Sequence, residues 1–149
     1  ENTAGIAGFA AAAEEGSQAI AEDIAHMRRL QARLEAGLMA ALPGVHVYSR
    51  AEERLPNTTC ARFGTLDAEE VLAKLERHGV IASSGAACSA AGTEPSHVLL
   101  AMGEPARLAK CAVRFSTDRF TTHHDIDVAI AAATLALAPL LSREPERTR

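Results

Sequence analysis

Cys88 lies at the middle of a run of small residues, Ser83 to Gly92, reading SSGAACSAAG. As thiolate it is a strong nucleophile and could carry covalent chemistry. The run has no large apolar side chain to anchor it, and Gly85 and Gly92 add backbone freedom. A free cysteine usually behaves as a small buried hydrophobe. A cysteine on such a tether suits a thiol that must visit more than one place; it equally suits an incidental surface thiol. An ordinary cysteine is only a few per cent thiolate near neutral pH. No basic residue lies within five positions of Cys88, and His97, the next candidate, reads as a helix surface residue. Arg114 is the second residue of interest. It sits between Val113 and Phe115 in an apolar run, at a strand position that alternation alone makes exposed.

The elements that must position these residues follow from periodicity. Residues 3–15 are alanine-rich and helix-prone, Gly16-Ser17 marks a break or a cap, and residues 17–41 form a second, amphipathic helix. Its stripe is Ile20, Ile24, Met27, Leu34 and Leu38, and Pro43-Gly44 stops it. Residues 45–48 and 58–63 read as strands, with His46 facing solvent and Cys60 an inert strand side chain. Asp67 caps a helix that runs to His78 and closes at Gly79. Val80-Ile81-Ala82 reads as a short buried strand leading into the Cys88 loop, and a helix follows from about Thr93 to Gly103. Residues 104–111 read as a polar connection, and residues 112–116 as a last strand. Thr121-Thr122 caps a final helix whose stripe is Ile126, Ala129, Ile130, Ala133, Leu137 and Leu140. His123 and His124 are neighbours in its first turn and point apart, so they form no metal pair. The succession predicts an α+β fold, helices layered on a small sheet.

Composition narrows the function classes. The 149 residues carry a net charge of −4, which leaves no electrostatic footprint for nucleic acid. No apolar run is expected to approach the roughly 20 residues of a membrane span, and no signal peptide is visible at the N-terminus. Three cysteines in no metal spacing fit reduced thiols in a cytoplasmic protein.

The run SSGAACSAAGTEPSHVLLAMG (residues 83–103) resembles the active-site loop of cysteine desulfurases of the NifS/IscS group, in the class V aminotransferase family. That loop reads SSGSACTS, then a short spacer and EPS(H/Y)VLRA(M/L)G; Ala86, Ser89 and Leu100 depart from it, and Cys88 is retained. ENTAGI at residues 1–6, LPNTT at 55–59 and AVRFSTDRFTT at 112–122 resemble further family segments. The wording leans toward the NifS, nitrogen-fixation type.

The resemblance implies the small C-terminal α+β domain of a fold-type-I pyridoxal-phosphate enzyme. It implies a helical segment, residues 1–41, leading from a cofactor-binding domain that precedes residue 1. Residues 42–141 would be the small domain carrying the loop at 83–92, and residues 142–149 a polar tail. It also implies L-cysteine as substrate, L-alanine as product and a persulfide on Cys88. Arg114 would grip the substrate carboxylate, since a guanidinium offers two parallel donors; Arg119 would be structural. The sulfur would pass to an iron–sulfur scaffold protein, with Cys88 meeting iron only transiently through its persulfide, and the enzyme would be a homodimer. Pyridoxal phosphate needs a lysine, and neither Lys74 nor Lys110 stands in the family's context for it. Two other readings stay open: a stand-alone persulfide carrier, and an interaction domain with an inert Cys88.

Overall fold

The computed structural model describes residues 1–85 and 94–142. The chain opens with one long helix, α1 (Thr3–Ala41), whose first turn is capped by the Asn2 side chain accepting from the Gly5 N–H at 3.0 Å. The break expected at Gly16-Ser17 is absent. Ser17 donates back to the Glu14 carbonyl at 2.8 Å and the helix runs through, because one interior glycine costs only about 1 kcal/mol.

Four strands form one antiparallel sheet: β1 (Val45–Val47), β2 (Thr58–Phe63), β3 (Ser83–Ser84) and β4 (Ala112–Ser116), in the order β1-β2-β4-β3. Along β2 burial alternates, so Thr59, Ala61 and Phe63 face one way and Thr58, Cys60 and Arg62 the other. The first face meets the C-terminal half of α1, α2 (Ala68–Arg77) and α5 (His123–Leu141). There Leu30, Leu34, Leu38, Phe63, Val113 and Leu137 form the main core. The second face carries α3 (His97–Ala101) and α4 (Ala106–Ala109) over a small cluster of Tyr48, Leu99, Ala109 and Ala112, with Cys60 against it.

The sheet differs from expectation at its edge. Val80-Ile81-Ala82 is not a strand; the pairing segment is Ser83–Ser84, and Ile81 is 88% exposed. The cause is the end of α2. Gly79 takes φ +78°, its N–H bonds the Glu76 carbonyl at 2.9 Å, and the Val80 N–H bonds the Leu75 carbonyl at 3.0 Å. This Schellman closure consumes the Val80 donor, so pairing starts later. The same motif ends α3, with Gly103 at φ +88° and the Glu104 N–H on the Leu99 carbonyl at 2.9 Å. The connection expected at 104–111 contains α4, and α3 starts later than Thr93.

α5 carries the expected cap in fuller form. Thr122 Oγ1 accepts from the Asp125 N–H at 3.2 Å and Asp125 Oδ2 accepts from the Thr122 N–H at 2.8 Å, a capping box. Its 19 residues are long and apolar enough to cross a membrane, contrary to the expectation that no run came close. In this fold Ile126, Ala133 and Leu137 of α5 lie in the core.

Candidate functional site

Arg114 is held in the middle of the sheet. On β4 its Cα pairs with Cys60 of β2 on one side and with Ser83 of β3 on the other. It is half-buried, not the exposed residue that alternation alone favours, because α3 and the β1–β2 connection cover this face. A cavity of about 370 Å³ opens here, lined by Arg114, Cys60, Tyr48, Arg54, Gly85 and Ser96 together with Leu55, Val98, Leu99 and Met102. Among the described residues no acidic one lines it. Among the described residues no hydrogen bond or ion pair engages the Arg114 guanidinium. Burial pushes the Cys60 thiol up from its ordinary value, with the Arg114 charge opposing the shift. Cys60 is thus disfavoured as a thiolate, in line with an inert role.

Cys88 lies outside the described residues. Of the described residues on either side of it, Gly85 and Ser96 line the cavity, and a Cβ built on Gly85 would stand 3.7 Å from Ser96 Cβ. The Gly85 N–H donates to the Ala112 carbonyl at 2.8 Å, fixing that end beside β4. Gly85, which precedes the undescribed residues, and Ser96, three residues past them, therefore both stand at the cavity of Arg114. His97 is exposed on α3 and does not line it.

Two buried polar devices hold the cavity walls, and sequence reading missed both. Glu35 of α1 is 3% exposed. It accepts from Arg54 Nη1 at 2.7 Å, from Arg54 Nη2 at 2.9 Å and from Thr59 Oγ1 at 2.9 Å. Nearby Gln31 Nε2 donates to the Leu55 and Thr58 carbonyls at 3.0 and 2.7 Å, so α1 fixes the β1–β2 connection at two places. On the other side the Tyr48 hydroxyl donates to Glu104 Oε1 at 3.0 Å, and Arg62 Nε stands 3.5 Å from the same oxygen. Burial and the Glu104 carboxylate push the Tyr48 phenol up, keeping it a donor. Ser49, next to it, turns the chain with a left-handed φ of +52°. The one available signal for Glu35 was its place beside Leu34 on the buried stripe. Arg119 is structural, pairing with Asp23 at 3.3 Å and Glu15 at 3.7 Å on α1.

Residues 1–128 match the family model described as aminotransferase class V. The chain belongs to the class V aminotransferase family. It is 38% identical over 145 residues to the cysteine desulfurase NifS of Azotobacter vinelandii, covering 97% of this chain and 36% of that protein. It is 42% identical over 127 residues to a cysteine desulfurase of Cereibacter sphaeroides, covering 85% and 32%. Among solved structures, a NifS-like protein from Rickettsia africae superposes with a TM-score of 0.77 at 34% identity, over 89% of this chain and 34% of that one. These relatives favour the NifS type within the family. The chain spans about a third of the length of the curated relatives it matches, 36% of the first.

Class V proteins use pyridoxal phosphate as a family property. Of the two lysines, Lys110 is exposed and Lys74 lies on α2, and neither is among the described residues that line the cavity. The residues described here do not fit the cofactor, so what they can do is bind and orient. Among them there is no group of three or more His, Cys, Asp or Glu that could hold a metal.

Proposed function

We propose that this chain is the small C-terminal part of a fold-type-I cysteine desulfurase, with α1 leading from the rest of the enzyme and the α+β unit carrying substrate-binding and sulfur-accepting groups. Residues 1–41 form the connecting segment, 42–141 the domain and 142–149 the tail. The observation that carries this reading is Arg114: a guanidinium with no acidic partner among the described residues, in a cavity also lined by Gly85 and Ser96, which lie on either side of Cys88 in the sequence.

In this reading Arg114 takes the carboxylate of L-cysteine, and the sheet, through Cys60 and Ser83, fixes its direction. The Cys88 thiolate forms a sulfur–sulfur bond with the substrate thiol as the carbon–sulfur bond breaks. The electron pair of that bond goes to carbon, which takes a proton and leaves as L-alanine. Pyridoxal phosphate, held by residues other than those described here, would supply the electron sink. In this reading the persulfide sulfur then passes from Cys88 to an iron–sulfur scaffold protein, with nitrogenase assembly as its use. The enzyme is a cytoplasmic homodimer in this reading. The position of the two lysines favours a second one: Cys88 as a persulfide carrier loaded by another protein.

The test isolates the native polypeptide that carries these residues and supplies it with L-cysteine. The desulfurase reading expects alanine and persulfide in equal amounts, with Cys88→Ser losing both while bound cofactor is unchanged. Sulfide release by the Cys88→Ser protein would end the role of Cys88. A polypeptide that accepts persulfide but never yields alanine would leave the carrier.

A further inference from the structure

Among the described residues the cavity of Arg114 has two charged side chains in its wall, Arg54 and Arg114, and they are treated differently by the fold. Arg54 is tied through both terminal nitrogens to the buried carboxylate of Glu35. Arg114 has no such carboxylate among the described residues. A third arginine, Arg50, stands 3.7 Å from Glu35, but its side chain is 54% exposed and its charge is screened by water. The rest of the lining includes Leu55, Val98, Leu99 and Met102. With the neutral side chains of Ser49, Thr58 and Ser96 beside these, the described wall suits a small side chain and holds no further cation for a second anion.

We propose that Glu35 sets the ligand class of this cavity: by neutralising Arg54 it leaves one uncompensated guanidinium, so the cavity takes an amino acid with one carboxylate and rejects dicarboxylic ones. The proposal rests on the reading that Arg114 binds the substrate carboxylate. Glu35 touches no ligand; it is a positioning residue that acts through Arg54. A rigid bidentate pair cannot turn toward an incoming anion without leaving a buried carboxylate unpaired, which is strongly unfavourable. Remove the charge on Glu35 and Arg54 becomes a second anion site beside the first.

The experiment titrates the isotopically labelled full chain with propionate and with succinate, reading the backbone amides of Cys60 and Arg114 by NMR. The unsubstituted chain should bind propionate and should bind succinate about tenfold more weakly, because the second carboxylate would be desolvated without a partner. Arg114→Leu should abolish the shifts; if it does not, the carboxylate reading fails by itself, whatever Glu35 does. Glu35→Gln should tighten succinate about tenfold, the effect of one added charge-assisted pair, and leave propionate within about twofold. Glu35→Gln/Arg54→Leu should lose that gain. An unchanged succinate-to-propionate ratio in folded Glu35→Gln overturns the proposal, and so does a gain that survives in the double variant. Should Glu35→Gln not fold, Glu35→Leu/Arg54→Leu, which replaces the whole pair by apolar groups, must keep the original ratio; a tenfold shift in it would equally overturn the proposal.

Discussion

Cys60 and Arg114 face one another across neighbouring strands, and both line the same cavity. Burial raises the Cys60 pKa above its ordinary 9.0, and the Arg114 charge lowers it. A raised pKa means less thiolate at any pH below it. Alkylation of Cys60 by iodoacetamide, followed by mass spectrometry, should be slow at neutral pH and accelerate only above the ordinary thiol range. Arg114→Leu should move that acceleration to still higher pH. Fast alkylation at pH 7 in the unsubstituted chain would contradict the burial of this thiol.

Three carboxylates should make the fold acid-sensitive. The Phe120 N–H lowers the pKa of Asp118, the Thr122 hydroxyl that of Asp125, and the Arg33 guanidinium that of Asp127. A folded-state pKa below the unfolded one gives stability that is present above the unfolded value and lost as pH falls through the folded one. The urea midpoint should therefore hold from neutral pH down to the ordinary aspartate value of 3.8 and drop below it. Asp125→Asn should flatten part of that drop. An acid limb identical in the variant would remove Asp125 from this account.

Glu35→Ala should cost about 3 kcal/mol or more, because it strands a buried guanidinium. Arg54 keeps only 20% of its side chain exposed, so water replaces the lost carboxylate poorly. Urea unfolding followed by circular dichroism measures it. A loss under 1 kcal/mol would mean that Arg54 swings out to solvent.

Gly79→Ala should cost about 1–2 kcal/mol, the penalty of a left-handed residue with a Cβ. No atom lies within 4 Å of the position a Cβ would take there, so the cost is conformational. Gly85→Ala makes the contrast: its Cβ would meet Ala112 Cβ at 3.1 Å, a steric cost beside the cavity. Thermal midpoints of the two variants, with the propionate titration for Gly85→Ala, separate the two causes.

Much of the fold was legible in the residues. Asp67 and Thr122 mark helix starts by side-chain caps and Gly79 a helix end by its left-handed backbone, all acting within a few residues, and the alternation in 58–63 places one face of β2 inward. The misplaced third strand shows where local reading stops. Val80 is apolar and strand-prone, but its N–H belongs to the helix before it, and only the closure of α2 decides that. The same holds at the site. Arg114 was within reach of a motif, since its neighbours share its strand. Glu35 was not: its partners, Arg54 and Thr59, lie 19 and 24 residues away, and a glutamate between Leu34 and Ala36 on a helix looks like a solvated face. Arg54 owes its neutrality to a tertiary contact that no spacing announces.

The long first helix distributes its stability unevenly. Phe9 is 79% exposed and Ile20 57%, whereas Leu30 and Leu38 are fully enclosed. Amide hydrogens near the start of α1 are held by helical bonds alone, and local fraying suffices to release them to solvent. Those around Leu34 open only when the core opens. Hydrogen exchange along this one helix should therefore climb from seconds-scale fraying to the slowest rates in the chain, and anything that covers the early turns would be seen first as slowed exchange there.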